Sequence, residues 1–330
     1  MEKSLRAAVI GMGGVAPMHT QGLAALGITI AAVCDKDAPR AQQAGLEYDA
    51  RAFTDYQEML AAGGFEVLHI CLPHFLHAPV AIDALNAGYH VLCEKPIATT
   101  VADGEAMLAA AQKNKRVLSV IFQNRFNPGT VLVKEALDAG VLGVIKSGWL
   151  RVNWFRDADY YASSDWRGRR ATEGGGVLIN QSIHTFDLMN YFLGTPLGVN
   201  ATTANRAHPA IEVEDVAEGV ITYANNVSVS FFVNTYHPYD APVELEIIGE
   251  YGRAKITGDE AEIHLTDGTR RTATADNAAQ AAFGVKDYWG VSHVKQIAAF
   301  YEALTTGVEP AVTAVSALVT QRLIAAIYAT

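Results

Sequence analysis

The chain has 330 residues, half of them hydrophobic and 18% charged, and its 25 Lys+Arg against 35 Asp+Glu leave a net charge of −10. That composition excludes intrinsic disorder, the length fits about two domains, and the acidic balance argues against a nucleic-acid binder, whose phosphate contacts need a basic face. No apolar run reaches the ~18 residues of a membrane span or, at the N-terminus, the ~7–15 of a secretory core, so a cytoplasmic protein with no membrane partner is expected.

The first half alternates short apolar runs (Ala7–Ile10, Ile28–Cys34, Val67–Leu72, His90–Cys93, Val117–Phe122) with helical patterns such as Ala78–Ala87 and Val101–Lys113. Pro79 near the start of its segment and Gly88 just past the end mark helix boundaries. Strands that are continuously apolar, separated by helices, predict a parallel sheet covered on both faces. The three cysteines, Cys34, Cys71 and Cys93, lack C-x-x-C spacing and read as free thiols in strand ends.

Between the first strand and the first helix, Gly11-Met12-Gly13-Gly14-Val15-Ala16 reads G-x-G-x-x-A. Gly11 permits the tight turn and Gly13 a close approach to a pyrophosphate, while the helix opening near Val15 offers free N–H groups and a positive dipole end. Asp35 stands 21 residues after Gly14 (35 − 14), at the end of the second strand. An acid there accepts from the ribose diol of NAD and repels a 2′-phosphate, although Lys36 and Arg40 leave room for NADP. Glu94-Lys95-Pro96 follows the strand His90–Cys93 at the carboxyl edge of the sheet. A lysine at that edge suits binding of a hydroxyl and stabilisation of a developing alkoxide.

After Asn127-Pro128-Gly129 the texture changes to longer, more alternating strands: Val144–Trp154, Val216–Tyr223, Val227–Thr235 and Val243–Ile248. These predict a large antiparallel sheet with one face open, the outer face carrying Val229, Phe231 and Val233 and calling for a homo-oligomer. Helical patterns cover Gly176–Leu193, His293–Leu304 and Val312–Ala329. The expected division is 1–122, a dinucleotide-binding domain, and 123–330, an α+β substrate-binding and oligomerisation domain, with the final helix able to pack back on the first. Within the pattern Gly176–Leu193, Asn180 and His184 are spaced for one helix face. A histidine titrates near neutrality and can take and return a proton.

Gly11–Ala16, Cys71-Leu72-Pro73…His77, Glu94-Lys95-Pro96, Gln123-Asn124-Arg125-Phe126-Asn127-Pro128 and Gly174-Gly175-Gly176…His184-Thr185-Phe186-Asp187 occur in that order, followed by Leu245–Gly249 and Gly290-Val291-Ser292-His293. Together the set resembles the glucose-fructose oxidoreductase/inositol dehydrogenase/rhizopine catabolism (Gfo/Idh/MocA) family over essentially the whole chain. The resemblance implies an N-terminal α/β Rossmann domain and a C-terminal α+β domain on a large, mostly antiparallel open sheet. It also implies NAD(P)-dependent hydride transfer with a secondary alcohol of a sugar or cyclitol, and a dimer or tetramer formed through that sheet. On this resemblance Lys95 and His184 are catalytic. Gly11, Met12, Gly13, Gly14, Val15, Asp35, Leu72, His77, Glu94, Lys95, Trp166 and Arg167 bind cofactor. Lys95, Arg125, Asn180, His184 and Tyr236 meet substrate, with Arg156, Tyr160, Tyr161, Arg169 and His237 as further candidates. Many family members carry Asp where this chain has Asn180, and an amide cannot relay a proton. Asp187 either orients the His184 ring or serves helix packing.

Three other readings stay open. Cys71, His74, His77, Cys93 and Glu94 have zinc-ligand chemistry, but their spacing matches no compact zinc pattern, so no metal is expected. A non-catalytic NAD- or sugar-responsive regulator is a second. The third is glycoside cleavage by transient oxidation with recycled, bound NAD.

Overall fold

The computed structural model describes residues 5–275 and 292–330. Met1–Ser4, and Gly290 and Val291 of the last motif, lie outside the described residues. The chain forms two compact units, one running to Ile121 and taking in the C-terminal stretch that ends at Leu318, the other beginning at Phe122 and taking in Val319–Thr330. The expected division put 123–330 in the second domain with the final helix able to pack back on the first; helix α10 (Ser292–Thr306) and the start of α11 (Ala314–Tyr328) group with the first.

The first unit runs β1 (Ala7–Ile10), α1 (Ala16–Ala25), β2 (Ile30–Cys34), α2 (Ala38–Tyr48), β3 (Arg51–Phe53), α3 (Tyr56–Ala62), β4 (Val67–Ile70), α4 (His77–Asn86), β5 (His90–Cys93), α5 (Val101–Asn114) and β6 (Leu118–Val120). Its strands lie in the order β3-β2-β1-β4-β5-β6, every neighbour parallel. Asp37, Asp55 and Thr100 start α2, α3 and α5 by accepting the N–H groups of Arg40, Gln57 and Asp103, each cap worth about 1 kcal/mol. Val9 and Val33 of the sheet pack with Leu23 of α1 and Ile297 and Phe300 of α10 in one core, where each fully buried side chain contributes about 1.5–3 kcal/mol. The strand order reverses between β1 and β4, and in such sheets ligands bind in the crevice outside the carboxyl ends at that point.

The second unit holds α6 (Pro128–Asp138), β7 (Ile145–Asn153), α7 (Ala158–Ala162), α8 (Arg170–Glu173), α9 (Ile183–Leu193), β8 (Gly198–Ala204), β9 (Val216–Thr222), β10 (Ser228–Asn234), β11 (Glu244–Gly249), β12 (Gly252–Thr257), β13 (Glu260–Leu265) and β14 (Arg270–Ala273). The eight strands follow the order β14-β13-β12-β11-β7-β10-β9-β8, and only β7 with β10 is parallel. Val229, Phe231 and Val233 are not on the open face: all three are buried, and Phe231 meets the Phe186 ring of α9 edge to face at 5.2 Å. The strand period fixes which residues share a face but not which face the helices cover. The open face carries Ser228 and Ser230 and, around Trp149, a charge ladder: Lys255 to Glu244 at 2.6 Å, Arg253 to Glu246 at 2.8 Å and to Glu262 at 2.7 Å. No helix among the described residues is long and apolar enough to cross a membrane.

Candidate active site

At the end of β1, Gly11 has φ +86°, and a Cβ there would lie 2.5 Å from the Cys71 carbonyl oxygen, so only glycine fits. Beside Gly13 nothing stands within 4 Å of where a Cβ would project, which leaves that stretch of backbone open to a ligand. Pro17 in the first turn of α1 suits the helix start. Asp35, at the end of β2, is buried; its carboxylate accepts the Met12 N–H at 2.8 Å and the Asp37 N–H at 2.9 Å, and Arg40 approaches it at 3.3 Å. The acid thereby ties down the glycine loop while its oxygens retain lone pairs for a ribose diol. Open backbone, a helix N-terminus and an acid at the neighbouring strand end fit an adenine dinucleotide; Gly11–Val15 and Asp35 are the groups that would hold it.

His77 is buried, its Nδ1 2.7 Å from the Pro96 carbonyl oxygen and its Nε2 2.8 Å from that of Leu72. It thus fastens the turn carrying Lys95, whose bond to Pro96 is cis, to the segment after β4. Burial lowers the His77 pKa, against the pull of the two carbonyls. Glu94 is buried as well. Its Oε1 lies 3.0 Å from His19 Nε2 of α1 and 3.4 Å from His293 Nε2 of α10, and its Oε2 accepts the Lys95 N–H at 3.2 Å. Behind His19 the contacts continue, Nδ1 to His69 Nδ1 at 2.9 Å and His69 Nε2 to the Tyr301 hydroxyl at 3.0 Å. Burial pushes the Glu94 carboxyl up, but the hydrogen bonds from His19 and His293 hold it well below the usual carboxylate range. Burial and neighbouring His19 hold His69 well below an ordinary imidazole, and burial drives the Cys71 and Cys93 thiols well above theirs.

In the second unit the expected helix from Gly176 begins only at Ile183, so Asn180 sits in the turn before α9 and not one turn earlier on its face. The glycines explain this. Gly174 caps α8 at φ +88°; a Cβ on Gly175 would sit 1.9 Å from the Tyr328 hydroxyl, and one on Gly176 1.9 Å from the Glu214 carbonyl oxygen. The turn is pinned by the Glu214 carboxylate, which accepts the N–H groups of Gly176 at 2.9 Å and Leu178 at 3.0 Å and the Tyr328 hydroxyl at 2.8 Å. Burial outweighs those bonds and raises the Glu214 pKa.

Asn180 Nδ2 donates to fully buried Glu173 at 2.6 Å and to the Tyr160 hydroxyl at 3.3 Å, and Gln181 Nε2 donates to the same hydroxyl at 3.2 Å. The Arg167 guanidinium lies 4.7 Å over the Tyr160 ring and 5.0 Å over that of Trp166, with Nη1 on Ser163 and Ser164. His184, in the first turn of α9, is half-buried with its ring edge to face on Phe122 at 5.6 Å. Trp166, Arg167 and Asn180 thus gather about Tyr160. Arg125 is drawn elsewhere: its Nε and Nη2 grip Asp187 at 2.7 and 2.6 Å inside the unit, and Thr320 donates to the same carboxylate at 3.2 Å. Asp187 therefore anchors α9 and does not orient His184. Tyr236 is separate again, bridged to Phe155 and 3.5 Å from an Arg206 nitrogen.

Sequence reasoning missed Glu173, Glu214, His19 and His69. One signal was available: His69 is the single polar residue in the otherwise apolar strand Val67–Ile70.

Comparison with known proteins follows the same division. The family model described as "Oxidoreductase family, NAD-binding Rossmann fold" matches residues 5–122, and the "GFO/IDH/MocA C-terminal domain" matches 130–255. An inositol 2-dehydrogenase of Salmonella typhimurium is 30% identical over 269 residues, 77% of this chain and 74% of its own. A D-apiose dehydrogenase of Paraburkholderia graminis is 29% identical over 280 residues, 83% of this chain and 73% of its own. Among solved structures, the WlbA dehydrogenase of Bordetella pertussis in complex with NADH and UDP-GlcNAcA is 28% identical, with a TM-score of 0.86, covering 99% of this chain and 96% of that one.

Proposed function

The chain belongs to the Gfo/Idh/MocA family and is an NAD-dependent oxidoreductase acting on CH–OH groups, and from that premise we propose that its substrate is a secondary alcohol of a cyclitol, a sugar or a sugar derivative. The relatives' own substrates support this class. The observation that carries the reading is the Glu94-Lys95-Pro96 turn at the carboxyl end of β5, fastened by Glu94 and His77. When bound, NAD supplies the hydride acceptor.

Lys95 presents an ammonium that stabilises a developing alkoxide, and His184 takes the hydroxyl proton and returns it in the reverse reaction. Asn180, held through Nδ2 by Glu173, binds a hydroxyl without exchanging a proton. Asp35 favours NAD over NADP. Purified protein incubated with NAD and a panel of cyclitols, neutral sugars, uronic acids and nucleotide sugars should form NADH with one class. No reduction with any of them, alongside tight NAD binding, would favour the regulatory reading. Release of an aglycone from a glycoside without net NADH would favour the cleavage reading.

The open sheet face, with its acids and bases paired around Trp149, offers a second copy of the chain a surface on which those charges are mutually balanced. Light scattering at micromolar concentration should report at least a dimer, and a strict monomer would remove this assignment.

A further inference from the structure

The contacts behind Glu94 have a definite polarity. An ionised carboxylate only accepts, so His19 Nε2, 3.0 Å from Oε1, carries a hydrogen. In a neutral ring His19 Nδ1 is then bare, and His69 Nδ1, 2.9 Å away, must be the donor. That leaves His69 Nε2 to accept from the Tyr301 hydroxyl at 3.0 Å. His293 Nδ1 is buried without a partner among the described residues, which leaves its Nε2–H for Glu94 at 3.4 Å. Every bond therefore points toward one carboxylate oxygen.

We propose that Tyr301, His69, His19 and His293 are positioning residues that act on Lys95 through Glu94: their aligned hydrogen bonds fix one carboxylate oxygen, and the other holds the Lys95 amide. Polar rings buried together cost desolvation unless they are partnered, and the linked contacts from Tyr301 through His69 and His19 to Glu94 favour a single geometry. The chain starts on α10, crosses β4, passes through α1 one turn after the glycine loop and ends on Glu94, so the nucleotide loop and the lysine turn share one support. Other titratable groups that feel Glu94 are the Cys71 and Cys93 thiols, held protonated by burial, and His77, on which Lys95 also acts; Glu66 acts on Tyr301. The catalytic consequence rests on the role given to Lys95 above, whereas the tautomers do not.

The test uses the full chain labelled with nitrogen-15 in histidine. His69 should show one protonated and one bare nitrogen throughout the range where a free imidazole titrates, about pH 5.5–7.5. Tyr301→Phe, three hydrogen bonds from Glu94, should mix the two His69 tautomers and move the acid limb of hydride transfer up by about one pH unit. NAD affinity, set by Gly11–Val15 and Asp35, should be unchanged. The idea is overturned if wild-type His69 becomes cationic in that range, a measurement that needs no variant. It is equally overturned if Tyr301→Phe changes the spectra but not the pH profile, because the chain then acts on nothing at Lys95. If Lys95→Met reacts normally, the role of Lys95 fails while the spectra still decide the tautomers.

Discussion

Glu94 in the first unit and Glu214 in the second are both buried carboxylates, and they are kept in opposite ways. Glu94 receives N–H groups from two histidine rings, which can share its charge, and its pKa falls. Glu214 receives two backbone amides of the turn before α9 and a tyrosine hydroxyl; these dipoles cannot change their charge, so burial wins and its pKa rises. The contrast shows two uses for a buried acid. One is a charged acceptor that holds the turn carrying Lys95 through its amide; the other is a fastener that gathers the amides of an irregular turn.

The largest expected effects fall on the acid/base pair itself. Lys95→Met and His184→Asn should each slow single-turnover hydride transfer by roughly 10²–10⁴-fold while NAD titration changes little. Near-normal chemistry in both would leave Glu94 with no reactive lysine to serve and dissolve the contrast. Next comes the fastener: Gly176→Ala drives a methyl group into the Glu214 carbonyl oxygen, 1.9 Å from its ideal position. Backbone cannot yield as a flexible side chain does, so thermal unfolding should show a loss of about 1–3 kcal/mol or more. A neutral result would mean that the turn does not depend on close approach to Glu214.

Asp35→Ser should weaken NAD by about tenfold, near 1.4 kcal/mol, and narrow its preference over NADP, because a hydroxyl replaces a charged acceptor. Equal wild-type affinities for the two cofactors would remove the assignment of Asp35.

The subtlest test is the sign of pH dependence, measured as stability of wild type minus Glu→Gln variant. The folded pKa of Glu94 is depressed, so its contribution is full above the ordinary carboxylate pKa of about 4.3 and is lost as pH falls below that toward the folded value. For Glu214 the folded pKa is raised, so stability is lost as pH climbs above about 4.3 toward the folded value. The two difference curves should slope in opposite directions, each by at most about 1.4 kcal/mol per pH unit. Equal slopes would mean that the two acids are not held differently.

Much of the first unit was legible in the chain. Strand β1 ends where the apolar run Ala7–Ile10 ends, and the glycine loop, Asp35 and the Glu94-Lys95-Pro96 turn stand at carboxyl ends of strands as their spacing required. The second unit was less legible at three places. Gly176–Ser182 is apolar enough to extend a helical pattern, and only its neighbours Glu214 and Tyr328 forbid one. Arg125 was expected among the substrate contacts, and its partner Asp187 lies 62 residues on, beyond the reach of any local pattern. Val229, Phe231 and Val233 alternate as an open-face strand does, and they are equally apt for the covered face.

The sequence by itself determined the parallel sheet, the nucleotide loop and the place of Lys95 at a strand end, because apolar period, glycine conformation and helix starts are set by residues a few positions apart. The tertiary structure decided which face of the open sheet is covered, where α9 begins, and what surrounds Glu94. The bonds around Glu94 join residues separated by 50, 75 and 232 positions. No local pattern encodes such pairs. They exist only because α1, β4, β5 and α10 bury one common core, in which a polar group must find its partner among the elements packed against it.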